Sequence, residues 1–132
     1  MEIIVNAKSP KILVVDDDAA SLILMRTVLS NENYLDVSLF LDPKKAQVSY
    51  HSIEYDVLIV DLRMPVLSGF DILQDLQKSH GSKSSIIVIT ANAEDGTETR
   101  ALELGARKVI QKPFYIPDFI HELKAAVTEM AA

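Results

Sequence analysis

Hydrophobic positions in this chain fall in short unbroken runs. Ile12-Leu13-Val14-Val15, Val57-Leu58-Ile59-Val60 and Ile86-Ile87-Val88-Ile89 are apolar throughout, and Val109-Ile110 is a shorter fourth run. A strand that is apolar at consecutive positions is covered on both faces, as in a parallel sheet flanked by helices. Between the runs the apolar period becomes helical. Leu22, Met25 and Leu29 share one face of a helix predicted over 19–30, and Ile72, Leu73 and Leu76 one over 70–78. Phe119, Ile120, Leu123, Ala126, Val127 and Met130 mark a last helix over 116–130. Asp42-Pro43 opens a helix of poor apolar spacing, with Asp suited to the N-cap and Pro to the first helical position. A fourth helix is predicted over 97–104, with Gly105 as its left-handed stop. Strands are predicted over 11–16, 36–41, 56–61, 85–90 and 108–111. Pro65 keeps the loop 63–69 from being helical. Residues 79–84 read as a flexible exit, and 91–96 as a small-residue loop.

Strand and helix thus alternate five times. That order predicts an α/β, doubly wound (βα)5 fold in three layers, with right-handed crossovers. Residues 1–10 read as an N-terminal leader and 11–130 as one domain. Ile3-Ile4-Val5 has the composition of a short extra strand, separated from the first by Asn6-Ala7-Lys8-Ser9-Pro10. No internal repeat or low-complexity segment is present.

Composition narrows the function. The chain has 132 residues, 48% hydrophobic and 24% charged, which is globular and enough for one core. No apolar stretch is long enough to span a bilayer, and the start lacks the basic and hydrophobic regions of a secretion signal. The absence of cysteine removes disulfides, thiol nucleophiles and thiolate metal sites, and fits a cytoplasmic location. A net charge of -6 argues against nucleic-acid binding by this domain itself and agrees with a site that gathers a divalent cation.

Each unbroken run ends in a residue able to handle a phosphoryl group or a hard metal ion. The first leads to Asp16-Asp17, the second to Asp61, the third to Thr90 and the fourth to Lys112-Pro113. If the runs are parallel neighbours, these side chains emerge at one sheet edge, where sites of open α/β sheets are built. One aspartate after a strand is ordinarily a turn residue. Three at two adjacent strand ends repel, so that one pKa rises or a cation binds. Oxygen-only ligands suit Mg²⁺ or Mn²⁺. Asp18 reads as a solvent-facing residue of the first helical turn. A hydroxyl (Thr90) and an ammonium (Lys112) can bond and neutralise a phosphoryl group held on a carboxylate. The Lys112-Pro113 peptide is expected to be cis. His51, His80 and His121 have no ligand spacing, and Tyr34, Tyr50, Tyr55 and Tyr115 form no stacking array.

VVDDD in the first strand, IVDLRMP in the third, VITANA in the fourth and IQKPF in the fifth together resemble the receiver domain of two-component response regulators. The resemblance spans nearly all of 11–130. It implies a flavodoxin-like fold with a parallel five-stranded sheet of order 2-1-3-4-5. It implies Asp61 as phosphoacceptor, Asp17 as a direct Mg²⁺ ligand, Asp16 as one acting mainly through water, and the Arg63 carbonyl as a further ligand. Thr90, followed by Ala91, corresponds to the switch hydroxyl and Lys112 to the phosphate-binding amine. The implied partners are a sensor histidine kinase or histidine phosphotransfer protein as donor and an unspecified protein target. The implied role is that of a signalling phosphoacceptor, not an enzyme, although it can catalyse its own phosphorylation and dephosphorylation.

Two positions depart from the family. Val109 stands where an aromatic rotor is common, three residues before the lysine. Arg107-Lys108 leads into the fifth strand where one dimerising subgroup has paired acids. Two other readings compete. One is a degenerate receiver that only binds protein. The other is a phosphatase using Asp16 as nucleophile, which Ala20 disfavours because that family has a hydroxyl there.

Overall fold

In a computed structural model, residues 9–79, 83–91 and 94–131 are described. Ile3-Ile4-Val5, His80, Asn92 and Ala93 lie outside them. The elements are β1 (Ile12–Val15), α1 (Ala19–Asn31), β2 (Val37–Phe40), α2 (Pro43–Ser52), β3 (Val57–Asp61), α3 (Gly69–Ser79), β4 (Ser85–Thr90), α4 (Thr97–Glu103), β5 (Lys108–Gln111) and α5 (Ile116–Ala131). The strands form one parallel sheet of order β2-β1-β3-β4-β5. The four chemistry-bearing runs are therefore consecutive neighbours.

The unbroken runs supply both faces because successive strand side chains point oppositely. Ile12, Val14, Val57, Ile59, Ile87 and Ile89 pack with Leu22 and Met25 of α1 and with Phe119 and Leu123 of α5. Leu13, Val15, Leu58, Val60 and Val88 pack with Ala46 and Tyr50 of α2, Ile72 and Leu73 of α3, and Ala101 of α4. This is the three-layer arrangement predicted.

The poor apolar spacing of α2 has a polar explanation. Asp42 caps it, its carboxylate accepting from the Lys44 N–H at 2.9 Å. At the other end a single oxygen of Asp75, on α3, accepts from Gln47 Nε2 (3.1 Å) and Tyr50 OH (2.5 Å) and contacts His51 Nε2 (2.7 Å). Three hydrogen bonds to one carboxylate oxygen tie α2 to α3 where an apolar stripe is missing. His51, without a role in the sequence pattern, has this one.

Helix α3 begins at Gly69, one residue before the predicted start. Ser68 and Asp71 form a reciprocal cap: the Asp71 N–H reaches Ser68 Oγ (3.2 Å) and the Ser68 N–H reaches Asp71 Oδ2 (2.9 Å). The spacing Ser-x-x-Asp was visible in the sequence and marks this start. Gly105 ends α4 in the left-handed region at φ 104, as expected. Asp18 is the exposed N-cap of α1 and not a residue of its first turn.

Candidate functional site at the carboxyl edge of the sheet

Strand register sets the site. Val15 lies opposite Val60 across β1 and β3, so the next residues, Asp16 and Asp61, leave the sheet side by side. Both continue the parity of Val14 and Ile59 and so lie on the α1 and α5 side. Each is only 6% exposed. Asp17 is exposed beside them. Carboxylate oxygens of Asp16, Asp17 and Asp61 lie within 4.8 Å of one another.

Each buried acid has fixed donors. Asp16 Oδ1 accepts from the Asp18 N–H at 2.9 Å and Oδ2 from Lys112 Nζ at 2.7 Å. Asp61 Oδ1 accepts from the Arg63 N–H at 3.2 Å. Burial first, and then the Asp16 charge, push the Asp61 carboxyl up to about 6; the Lys112 ammonium and the Arg63 N–H oppose that rise. Three carboxylates against one ammonium leave excess negative charge in an all-oxygen donor set. Those are conditions under which a hard divalent cation fits.

Thr90 is fully buried at the end of β4, one residue past Ile89, the partner of Asp61. It has the parity of Val88, so it lies on the α3 and α4 side. There it lines a cleft of about 640 Å³ with Met64, Phe70, Thr97 and Arg100. Its carbonyl accepts from the Lys112 N–H at 2.8 Å, joining the ends of β4 and β5. Ala91, next to it, is exposed. The Arg63 side chain turns to Glu94 across the same cleft, at 2.7 Å. The Lys112-Pro113 peptide is cis.

On the opposite side, Asp16, Asp61, Ser21 and Lys112 rim a second pocket of about 300 Å³ with an apolar floor of Val14, Ile59, Ile89 and Phe114. The edge thus opens on both faces: carboxylates and ammonium on one, buried hydroxyl on the other. Val109 is half-buried, pairs with Val88 and joins the core on the α3 and α4 side. Arg107 is engaged within the chain by both carboxylate oxygens of Glu129 on α5.

The sequence pattern did not single out Ser21 or Gly69. Ser21 Oγ lies 3.3 Å from Lys112 Nζ and donates to Asp18 Oδ2 at 2.8 Å. A serine in a first helical turn gives no signal of a partner 91 positions away. Gly69 lies against the backbone at the end of β3. A Cβ placed there would stand 2.5 Å from the Asp61 carbonyl oxygen and 2.7 Å from Leu62 Cα.

No helix among the described residues is long and apolar enough to cross a membrane. The family model for the response regulator receiver domain matches residues 12–124. The chain is 32% identical over 117 residues to the phosphate regulon transcriptional regulatory protein PhoB of Rhizobium meliloti, covering 88% of this chain and 51% of that protein. It spans about half the length of this and other regulators that it matches. Among solved structures, a Francisella response regulator receiver domain superposes with a TM-score of 0.82 at 28% identity, covering 91% of this chain and 98% of the other. The receiver domain of a sensor histidine kinase from Pseudomonas aeruginosa, solved with a magnesium ion coordinated in its active site cleft, gives 0.81 at 27%, with the same coverage of each. By its fold, its acidic edge and the match over most of its length, this chain belongs to the receiver domain family of two-component response regulators.

Proposed function

We propose that this receiver takes a phosphoryl group onto Asp61 from a phosphohistidine of a sensor histidine kinase or histidine phosphotransfer protein, and thereby changes its affinity for a protein target. The observation that carries this reading is the side-by-side emergence of two buried carboxylates, one of them paired with Lys112. A carboxylate oxygen of Asp61 attacks phosphorus. The new P–O bond forms as the P–N bond to the donor imidazole breaks, and the released ring nitrogen takes up a proton from solvent. Ionisation of Asp61 above about pH 6 supplies the nucleophile. Lys112 neutralises charge on the arriving oxygens. The protein acts as a signalling phosphoacceptor, and its catalysis is confined to its own phosphorylation and dephosphorylation.

Mg²⁺, with Mn²⁺ as a substitute, would be held by Asp17 and Asp61, whose carboxylate oxygens lie together with those of Asp16, with the Arg63 carbonyl as a further ligand and Asp16 contributing less directly. When bound it offsets the negative charge of phosphoryl oxygens and carboxylates. Both Asp16 oxygens already accept hydrogen bonds, whereas Asp17 is exposed. Asp17→Ala is therefore expected to weaken Mg²⁺ binding by about tenfold or more, and Asp16→Ala by less, since a direct ligand contributes more than one acting through water. Calorimetric titration of both variants checks this, and the opposite ranking overturns the ligand assignment.

The test of the function is acid-stable, base-labile incorporation from acetyl phosphate or a phosphohistidine donor. Incorporation that is equal with and without chelator contradicts the metal-assisted reading. Absence of both incorporation and a metal-dependent beryllofluoride response would instead favour a receiver that only binds protein.

The switch depends on Thr90 and on the backbone after it, with no aromatic rotor. Val109 is short, stiff at χ1 and half-buried in the sheet. Thr90→Ala is expected to abolish most of the beryllofluoride-induced spectral change. Val109→Ala is expected to keep that change and to cost about 1 kcal/mol of packing. Amide spectra of both variants with and without beryllofluoride decide this. A response lost in Val109→Ala but kept in Thr90→Ala refutes it.

A further inference from the structure

We infer that Ser21 is a positioning residue for phosphoryl transfer: its hydroxyl oxygen anchors the Lys112 ammonium so that one N–H stays available to a phosphoryl oxygen on Asp61. This rests on the reading of Asp61 as acceptor and Lys112 as phosphate-binding amine.

A lysine ammonium has three N–H donors on a flexible stem with considerable rotamer entropy. In this site one donor is taken by Asp16 Oδ2 at 2.7 Å and a second reaches Ser21 Oγ at 3.3 Å. Two anchors on different elements, the end of β1 and the first turn of α1, restrict the ammonium to a small volume. One donor is left over. Asp16, Ser21, Lys112 and Asp61 all rim the same pocket, so the ammonium and the acceptor carboxylate share one cavity.

The polarity of the Ser21 hydroxyl is fixed as well. Its hydrogen is committed to Asp18 Oδ2 at 2.8 Å, so its oxygen is left to accept from Lys112. Asp18 is anchored in turn as the N-cap of α1, its carbonyl accepting from the Leu22 N–H at 3.1 Å. A hydroxyl free to rotate would offer its hydrogen or its lone pair indifferently; this one is oriented. The purely structural alternative is that Ser21 only secures the start of α1. In that case its loss alters stability and nothing that depends on Lys112.

The two roles separate in a double-mutant cycle. Phosphorylation rate constants with acetyl phosphate at saturating Mg²⁺, and Mg²⁺ affinities, are measured for the wild type, Ser21→Ala, Ser21→Thr, Lys112→Ala and Ser21→Ala/Lys112→Ala. Alanine suits a helix interior, so the fold is kept. Ser21→Ala is expected to slow transfer about three- to tenfold, as loss of one long hydrogen bond to a charged group implies. Its Mg²⁺ affinity should be unchanged, and Ser21→Thr, which keeps the hydroxyl, should transfer at close to the wild-type rate. The double variant should be no slower than Lys112→Ala alone. If Lys112→Ala is slow but Ser21→Ala transfers at the wild-type rate, or if the two effects multiply, the role of Ser21 is refuted while that of Lys112 stands. If Lys112→Ala itself transfers at the wild-type rate, the reading of the amine fails and the inference with it.

Discussion

Asp61→Asn is expected to take up no phosphoryl group and yet, without divalent ions, to be more stable than the wild type. The first part follows from the nucleophile, since an amide oxygen forms no acyl phosphate. The second follows from the charge. Burial and the neighbouring Asp16 raise the Asp61 carboxyl from 3.8 to about 6. Between those two values the folded protein holds a proton that the unfolded chain has released. Stability therefore falls as pH rises through that window, and the loss is complete above it. A rise of this size corresponds to at most about 3 kcal/mol at neutral pH. Asn removes the charge and retains an oxygen for the Arg63 N–H, so a gain of about 1–3 kcal/mol is expected at pH 7.5 in chelator. The gain should fall to about 0.5 kcal/mol or less near pH 4 and shrink when Mg²⁺ stabilises the wild type by mass action. Intact-mass spectrometry after acetyl phosphate treatment and denaturant unfolding at both pH values test the pair of effects. Labelling at the wild-type level, or a variant less stable than the wild type at neutral pH, contradicts the site assignment.

Gly69→Ala is expected to cause the second large loss, through the backbone. An ideal Cβ at this position lies 2.5 Å from the Asp61 carbonyl oxygen and 2.7 Å from Leu62 Cα. These are main-chain atoms, so relief requires moving either the start of α3 or the end of β3. The Gly69 N–H also bonds the Leu62 carbonyl at 3.1 Å, which holds the two segments at this spacing. The expected cost is about 3 kcal/mol or more, at the upper end of overpacking. For a domain of this size that is a fall of roughly 10 °C in Tm. Phosphorylation should slow as well, because the displaced strand end carries Asp61. Gly105→Ala supplies the contrast. Its φ of 104 makes alanine strained, but only the Gln77 side chain lies nearby, so it should lose about 1 kcal/mol of stability with no change in transfer rate. Equal phosphorylation rates in both variants would show that Gly69 does not position the acceptor.

Much of this protein is legible in its sequence. Unbroken apolar runs of four residues suit strands covered on both sides, and most of the helical faces between them are periodic. That combination led to the doubly wound fold observed. Helix α2 was the least legible, because it is held to α3 by hydrogen bonds to Asp75, and polar ties leave no period. The start of α3 was misplaced by one residue although Ser68-x-x-Asp71 signals a capping box.

The site divides in the same way. That Asp61 and Thr90 end their strands and Asp16, Asp17 and Lys112 follow theirs is a local fact, and the chain order states it. That Asp16 and Asp61 leave the sheet level with each other is a fact of register between strands more than forty residues apart. That Lys112 lies on Asp16 and reaches Ser21 depends on how the residues following β1 and β5 and the first turn of α1 come together at the sheet edge. Strand parity, read together with that register, sends the carboxylates toward α1 and α5 and the Thr90 hydroxyl toward α3 and α4. Composition and period act along the chain, and so the sequence by itself determined which elements form and which chemistry each one ends in. Distances, charge crowding and the raised Asp61 pKa arise between segments remote in sequence, and only packing of the whole sheet decided them.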